Sequence, residues 1–249
     1  MNGGVPWLLV AAVFVLAGLM KGVIGLGLPT LSMALLALWM PPADAAALLV
    51  VPSFVTNVWQ LRPFRDALPV ARRLLGMQVG IVGGTLGGAW LFGAPAGAGA
   101  AVALGAALVG YAAWGLLGRS LRLPDGAPPG LGALVGALTG GVTALTGVFV
   151  LPAVIYLQAL GLARDALIQA MGLCFTASTI ALGIALAGQQ RFAPELLAAS
   201  GAMLLPALAG MSIGQWLRPR MAPQVFRRCF FAGLALLGLY MLLRALRVA

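Results

Sequence analysis

One lysine and a set of neutral polar side chains are the residues of this chain that could do chemistry. Lys21 is the only lysine, beside fourteen arginines, and it stands between an apolar run, 7–20, and a glycine-rich stretch, 22–27. An ionisable side chain at membrane depth costs about 2.5–3.5 kcal/mol on insertion scales, and by default it marks a functional site. Because this charge is positive, the expected partner is an anion, and the chemistry predicted is anion binding.

Two glycine-rich motifs interrupt the apolar regions, KGVIGLGLP at Lys21–Pro29 and TGGVTALTG at Thr139–Gly147, and further polar side chains lie at the same depth. Hydroxyls and amides donate hydrogen bonds to oxyanions without titrating, although Ser and Thr in membrane helices often bond only their own helix. The predicted binding side chains are Lys21, Thr30, Ser53, Asn57, Gln60, Thr139, Thr143 and Thr146. The same depth also holds Ser32, Thr56, Gln169, Thr176, Ser178 and Thr179.

Residue types that catalysis or metal binding needs are scarce in this chain. It has no histidine, and its five carboxylates, Asp44, Asp66, Asp125, Asp165 and Glu195, fall in or next to predicted loops. An intramembrane metal site, a proton relay or a nucleophile with its base therefore lacks components. No P-loop for ATP is present. We expect no enzymatic activity, no metal and no cofactor.

The composition is that of a polytopic helical membrane protein. Hydrophobic residues make up 62% and charged residues 8%, with a mean hydropathy of +1.05. The apolar runs are continuous, whereas barrel strands alternate with a period of two. The net charge of +10 comes from arginines in short loops, as the positive-inside rule produces, so we expect the lipid bilayer as partner and no nucleic acid. The expected location is the inner membrane.

Six apolar segments are long enough for complete crossings: 44–61, 74–92, 96–118, 166–188, 196–217 and 229–243. Two further regions, 7–40 and 130–160, are interrupted by the two glycine-rich motifs, and each of their pieces is short for a full span. Broken helices at membrane depth occur where the freed backbone faces protein or a water-filled cavity. Both regions are therefore predicted to be re-entrant, broken-helix hairpins whose tips meet near the midplane.

The two halves of the chain correspond to each other. Aligning Lys21-Gly22 with Thr139-Gly140 aligns the breaks, and a shift of three more residues sets Pro42–Asn57 on Ala163–Ser178, with Asp44 on Asp165. The fold class predicted is all-α with two repeats, each a hairpin followed by three transmembrane helices. Residues 1–125 form the first repeat with a cytoplasmic linker, and 126–249 form the second.

Charge predicts that the second repeat is inverted. Arginines are concentrated in the loops 62–73 and 218–228 and in the linker, at Arg119 and Arg122, so these are expected to be cytoplasmic. The loops 93–96 and 189–195 are then outside. This assignment is consistent along the chain only if the region 130–160 starts and ends on the cytoplasmic side. Both termini, with Arg244 and Arg247, then lie outside.

Three stretches resemble the sulfite exporter TauE/SafE family of membrane permeases: Ala17–Met33, Val51–Gln60 and Thr139–Val154. The resemblance covers essentially the whole chain and implies transport of sulfur-containing anions. It adds glycines to the predicted binding residues, with Pro29 and Pro152 completing the two motifs. These glycines are Gly22, Gly25, Gly27, Gly140 and Gly147. Ala34, and the pair Val148-Phe149, depart from the family pattern.

The predicted function is secondary transport of a small anion such as sulfite, thiosulfate, a sulfonate or a sulfoacetate-like compound, by alternating access. Two alternatives remain open at this point, an anion channel and a subunit of a membrane complex that does not transport. The sequence does not identify the anion, the direction of transport, a coupling ion (proton or sodium) or the oligomeric state.

Overall fold

The structure is a computed structural model that describes residues 6–118, 121–123, 128, 130–191, 193–220 and 223–248. Arg119, Asp125, the predicted boundary between the repeats and the side chain of Arg247 lie outside the described residues. The described residues form helices and no strands. In chain order they are α1 (Trp7–Ile24), α2 (Leu28–Leu36), α3 (Pro42–Trp59), α4 (Phe64–Arg73), α5 (Leu75–Phe92), α6 (Gly97–Leu117), α7 (Leu131–Thr146), α8 (Ala153–Ala159), α9 (Arg164–Gly188), α10 (Pro194–Ala202), α11 (Leu204–Leu217) and α12 (Pro223–Val248).

The prediction of an all-helical, multi-pass membrane protein is confirmed. Within the described residues, seven helical segments are long and apolar enough to cross a membrane. Six of them correspond to the six predicted crossings, with α10 and α11 together making one. The seventh is α1, whose 18 residues at about 1.5 Å each reach about 27 Å, so the first piece of the 7–40 region is longer than predicted.

The helix breaks are narrower than the glycine-rich motifs suggest. α1 continues through Lys21 to Ile24 and ends at Gly25, whose φ is +84°, and α7 continues to Thr146 and ends at Gly147, whose φ is +69°. A left-handed φ is the feature that requires glycine and closes a helix. The second break covers residues 147–152, because α7 ends at Thr146 and α8 begins at Ala153.

Glycines inside the helices have a different role, which is close helix packing. A Cβ on Gly18 or Gly22 of α1 would lie 2.2 or 2.3 Å from a carbonyl oxygen of α11, and Gly210 and Gly214 of α11 approach α1 as closely. Small residues four apart let membrane helices approach at backbone distance. The α1–α11 pair is parallel, since Gly18 contacts Ala207 and Gly22 contacts Met211.

A second helix pair is built in the same way. In α5 and α7, the glycines Gly80, Gly84, Gly136 and Gly140 each bring the facing backbone to within 2.4 Å of a Cβ position. Gly136 contacts Met77 and Gly140 contacts Ile81, so α5 and α7 are also parallel. The α3–α9 and α6–α12 pairs are antiparallel, as the contacts of Gly172 with Asn57 and of Gly183 with Val50 show for α3–α9.

The two glycine breaks lie at different levels of the bundle, which differs from the expectation that they meet. Gly25 contacts Gln60, just past the end of α3, whereas Gly147 contacts Met33 of α2 and Ala46 in the first turns of α3. Gln60 comes fourteen positions after Ala46, which is about 21 Å along a helix. Because α1 nearly spans the bundle before it breaks, its tip reaches the far end.

The first prediction concerns the two ends of the bundle. In a chain with Cys229→Ser, in which the remaining Cys174 is buried, cysteines introduced singly at the exposed residues Arg65 and Arg220 should label from the cytoplasmic side. A cysteine at Ala96, in the loop between α5 and α6, should label only from outside. An impermeant maleimide applied to intact cells and to inverted vesicles makes the measurement. Labelling of Arg65 and Arg220 positions from opposite sides would rule out the arrangement.

The second prediction separates packing glycines from neutral ones. A Cβ at Gly140 lies 2.4 Å from Ile81 O and Thr85 N, while one at Gly141 meets nothing within 4 Å. Gly140→Ala should therefore cost about 1–3 kcal/mol of stability, as overpacking does, and lower the thermal unfolding midpoint in detergent. Gly141→Ala is the matched control and should leave the midpoint unchanged or higher. Equal midpoints for both variants would mean that the α5–α7 contact is loose.

Candidate functional site

A cavity of about 650 Å³ opens among the ends of α1, α3, α9 and α11. We call it the Lys21 cavity. Lys21 and Gly22 line it from α1 and Gly25 from the break, with Met211, Gln215 and Arg218 contributed by α11 and its end. Its remaining lining residues are Trp59, Gln60, Arg62, Pro63, Asp66, Val70, Asp165, Ala166, Ile168 and Gln169. Residues 60–70 and 165–169 belong to the arginine-rich end of the bundle, which we call the basic face.

The local sequence explains why Lys21 lies where it does. It is in the last turn of α1, where the helix dipole favours a cation, and its carbonyl accepts the N–H of Gly25 at 2.8 Å. The Lys21 side chain is 3% exposed although it lines the cavity, and its Nζ donates a hydrogen bond to Asn57 Oδ1. A single buried cation is thus held at the wall of an open space.

Two amides organise the surroundings of the lysine. Asn57 is fully buried, and its Nδ2 donates to Thr179 Oγ1 at 3.3 Å, so Thr179 of α9 fixes the amide that faces Lys21. Gln60 Nε2 donates to the carbonyl oxygen of Gly25 at 2.8 Å and thereby occupies an acceptor that the helix break leaves free. The lysine, both amides and the break therefore form one connected unit.

Among the described residues, no carboxylate forms an ion pair with Lys21. Within the described residues the only ion pair joins the exposed side chains of Arg65 and Asp66. Asp66 and Asp165 line the cavity, but so do Arg62 and Arg218, and Lys21 adds its charge, so cations outnumber carboxylates. A cavity lined by an excess of one charge concentrates ions of the opposite sign.

Arg218 stands at the edge of the spanning part of α11 and feels the neighbouring charges. Partial burial and the charge of Arg164 lower the pKa of Arg218, and Asp165 partly offsets this. An arginine starts from so high a pKa that it stays charged at neutral pH. Arg62, at the other side of the opening, lies over the Trp59 ring with its guanidinium 4.1 Å from the ring centroid. Both guanidinium groups are positioned to meet an incoming anion.

The structure brings together one part of the predicted set and not the rest. Lys21, Gly22, Gly25 and Gln60 line the Lys21 cavity, and Asn57 touches it through the lysine. Gly27 does not line this cavity, and a Cβ at Gly27 would contact Phe230 and Met20. Thr30 and Ser53 are buried and their hydroxyls have no hydrogen-bond partner, a property that they share with Ser32 and Ser178.

The predicted residues of the second motif lie elsewhere. Thr139, Thr143 and Thr146 each donate to the carbonyl oxygen four residues earlier in α7, at 2.6–2.8 Å. Gly140 is used for packing against α5, and Gly147 faces Met33 and Ala46. None of these five residues lines the Lys21 cavity. Their role in anion binding therefore stays a prediction.

Sequence reasoning missed the arginines at the opening. From the sequence, Arg62 and Arg218 are topology signals of cytoplasmic loops. A further signal is that each directly follows a predicted span that carries a glutamine near its end, Gln60 two residues before Arg62 and Gln215 three residues before Arg218. Two such span ends on the same side can frame one opening.

A bundle of apolar helices, broken at two glycines and enclosing a cationic cavity open at one face, is the architecture of a membrane permease. The family model described as sulfite exporter TauE/SafE matches residues 10–241. The chain therefore belongs to the sulfite exporter TauE/SafE family of membrane permeases. No curated protein and no solved structure matches it.

The third prediction tests the contact between Asn57 and Thr179. Thr179 and Thr176, both on α9, each donate to the carbonyl oxygen four residues earlier, but only Thr179 also accepts from Asn57. With sulfite as the probe anion, Thr179→Val should weaken binding by about 2- to 12-fold, since a neutral hydrogen bond contributes about 0.5–1.5 kcal/mol. Thr176→Val, the matched control, should change the affinity less than twofold. Titration calorimetry on the purified variants measures both affinities, and an equal loss in Thr176→Val would mean that the contact with Asn57 does not account for the effect.

Proposed function

We propose that this protein is a secondary transporter of a small sulfur-containing anion, such as sulfite, thiosulfate, a sulfonate or a sulfoacetate-like compound. The anion binds at Lys21 and crosses by alternating access. The observation that carries this proposal is the buried ammonium group of Lys21, which lacks a carboxylate partner and lies at the wall of the cavity. A cation in such a place is stabilised when an anion arrives.

The donors around the cavity suit an oxyanion. Lys21 supplies a point charge with three N–H donors, the guanidinium groups of Arg62 and Arg218 supply planar donor pairs, and Gln60 and Gln215 are neutral donors. Oxygens of a sulfur oxyanion accept several such bonds at once, and charge-assisted bonds are the stronger kind. The family membership supports sulfur as the central atom.

The pairing of helices supports a duplicated, inverted architecture. α1 packs in parallel on α11, and α7 packs in parallel on α5. The broken helix that opens each proposed repeat thus packs on a glycine-rich helix of the other repeat. The proposed counterparts α3 and α9 run antiparallel, which is the relation that inversion requires. Repeats that interlock in this way can exchange conformations, and the site then opens first to one face and then to the other.

The arginine-rich end supports an orientation in the inner membrane. Arg62, Arg164 and Arg218 lie at the face to which the Lys21 cavity opens, and short arginine-rich loops are typically cytoplasmic. The cavity is then open to the cytoplasm in this conformation, with both termini outside. Arg244, whose guanidinium donates to Leu38 O, lies at the opposite end.

The fourth prediction tests the role of Lys21. Lys21→Gln keeps much of the volume and removes the charge, so it should raise the dissociation constant of sulfite by about 10- to 150-fold, the equivalent of about 1.5–3 kcal/mol. Arg73→Gln removes the same charge from an exposed side chain outside the cavity and serves as the control. Calorimetry on folded protein makes the comparison. Equal affinities in the two variants would exclude Lys21 from the site.

Reconstituted vesicles separate the transporter from a channel. A transporter that works by alternating access should show saturable uptake and counterflow of labelled sulfite against unlabelled sulfite. A channel would show neither, although its Lys21→Gln variant would also lose conductance. Counterflow absent from vesicles in which the wild-type protein binds sulfite would contradict alternating access and leave the binding site intact.

A further inference from the structure

A second cavity, of about 450 Å³, lies on the other side of the last turn of α1. We call it the Tyr111 cavity. The residues around the end of α1 are divided between the two cavities. Lys21, Gly22 and Gly25 line the Lys21 cavity, whereas Val23, Ile24 and Leu26 line the Tyr111 cavity. Tyr111, Trp114, Arg164, Arg218, Arg227 and Phe231 also line the Tyr111 cavity.

The walls of the Tyr111 cavity are apolar and aromatic, unlike those of the Lys21 cavity. Val23, Ile24 and Leu26 face it from the chain around the break, and the rings of Trp114 and Phe231 line it from α6 and α12. The Tyr111 and Phe231 rings meet edge to face with centroids 5.0 Å apart. Volumes of about 300–1,000 Å³ with mainly apolar lining are typical of sites for small organic ligands.

One buried polar group at this cavity is unpaired. Tyr111 is 2% exposed, and its hydroxyl has no hydrogen-bond partner among the described residues. Buried polar groups are normally paired, so an unpaired hydroxyl in a cavity wall indicates a missing acceptor. Arg164, Arg218 and Arg227 add three positive charges, and none of them forms an ion pair among the described residues. Asp165 lies beside Arg164 and Arg218 and offsets part of that charge.

The two cavities adjoin, because Ile168 and Arg218 line both of them. Arg218 can therefore contact a ligand in either cavity. The Tyr111 cavity is nevertheless chemically distinct, because neither Lys21 nor Gln60 lines it and its donors are three arginines, the Tyr111 phenol and the Gln158 amide. It therefore fits a ligand of a different shape from the small oxyanion proposed for Lys21.

We propose that the Tyr111 cavity is a second binding site, for a water-soluble organic anion with a ring-sized apolar body. The apolar body packs against Trp114, Phe231 and Leu26. The anionic group lies among Arg164, Arg218 and Arg227 and accepts a hydrogen bond from Tyr111. This ligand chemistry, an anionic group on an apolar body, also occurs in anionic phospholipids, and basic clefts between membrane helices can hold their headgroups.

The test uses naphthalene-2-sulfonate as the probe and titration calorimetry on delipidated protein in a neutral detergent. Tyr111→Phe removes only the hydroxyl and should weaken binding of the probe about threefold or more. Arg227→Gln should weaken it at least as much, because it removes a charged donor. Arg228→Gln is the matched control, since Arg228 is the exposed neighbour of Arg227 and does not line the cavity.

Methanesulfonate, which has no ring, distinguishes the two sites. Tyr111→Phe should leave methanesulfonate binding unchanged, and Lys21→Gln should weaken methanesulfonate while the probe keeps its Tyr111-dependent binding. Loss of all probe binding in Lys21→Gln would show that only one site exists and overturn the proposal. Probe affinity unchanged in both Tyr111→Phe and Arg227→Gln would overturn it as well.

Two further arms identify the ligand chemistry. Naphthalene-2-sulfonamide has the same body without the charge, and it should bind at least tenfold more weakly than the probe. Equal binding would mean a hydrophobic cleft only. In nanodiscs of phosphatidylcholine that contain a low mole fraction of phosphatidylglycerol, the probe should bind with the same affinity as in nanodiscs of phosphatidylcholine alone. Displacement of the probe by phosphatidylglycerol, dependent on Tyr111 and Arg227, would assign the cavity to lipid and overturn its assignment to a soluble anion.

Discussion

The contact between α1 and α11 at backbone distance is the constraint on which the rest of this structure depends. Lipid tails are as apolar as leucine, so membrane helices associate through close packing and not through the hydrophobic effect. Gly18, Gly22, Gly210 and Gly214 leave no space for even one methyl group between the two backbones. α1 is therefore held rigidly up to its last turn, and the chain breaks only beyond it, at Gly25. A charged side chain on the fixed part, Lys21, can then be presented to a cavity without moving.

That rigidity explains how a buried ammonium group is tolerated. An uncompensated charge costs several kcal/mol when it is removed from water, and water, a hydrogen bond or an ion must offset that cost. Here Asn57 accepts a hydrogen bond from one of the three N–H groups of the Lys21 ammonium, and Thr179 keeps the Asn57 amide oriented. The cavity beside the lysine leaves its other donors within reach of water or an anion. In the proposed site, the energetic need for an anion and the groups that would hold it therefore belong to the same few residues.

Much of this could be predicted from the sequence, and the failures have one physical origin. Long apolar runs fix the spans because the bilayer demands about 20 apolar residues, and Lys21 and Asn57 stand out because polar groups are costly there. Glycine is ambiguous, however. Gly22 and Gly140 pack helices, whereas Gly25 and Gly147 end them, and the choice depends on a facing backbone from the other half of the chain. The same ambiguity covers Thr143, whose hydroxyl bonds its own helix while that of Thr179 also accepts from Asn57. Arg218 serves a cavity only because α9 begins beside it.

The two halves are alike in packing but not in charge, and this difference bears on how the proposed site works. Thr139 is the counterpart of Lys21 in the proposed repeat, and its hydroxyl is satisfied within α7. The break of α7 lies near the first turns of α3, about 21 Å along that helix from the break of α1. A transporter with one fixed cation cannot hand the anion to a second, equivalent charge. The proposed cycle must therefore bring access to Lys21 from each face in turn. Within the described residues, the buried hydroxyls of Thr30, Ser32, Ser53 and Ser178 have no hydrogen-bond partner in this conformation, so in the proposed cycle they are free to donate to an anion that leaves Lys21.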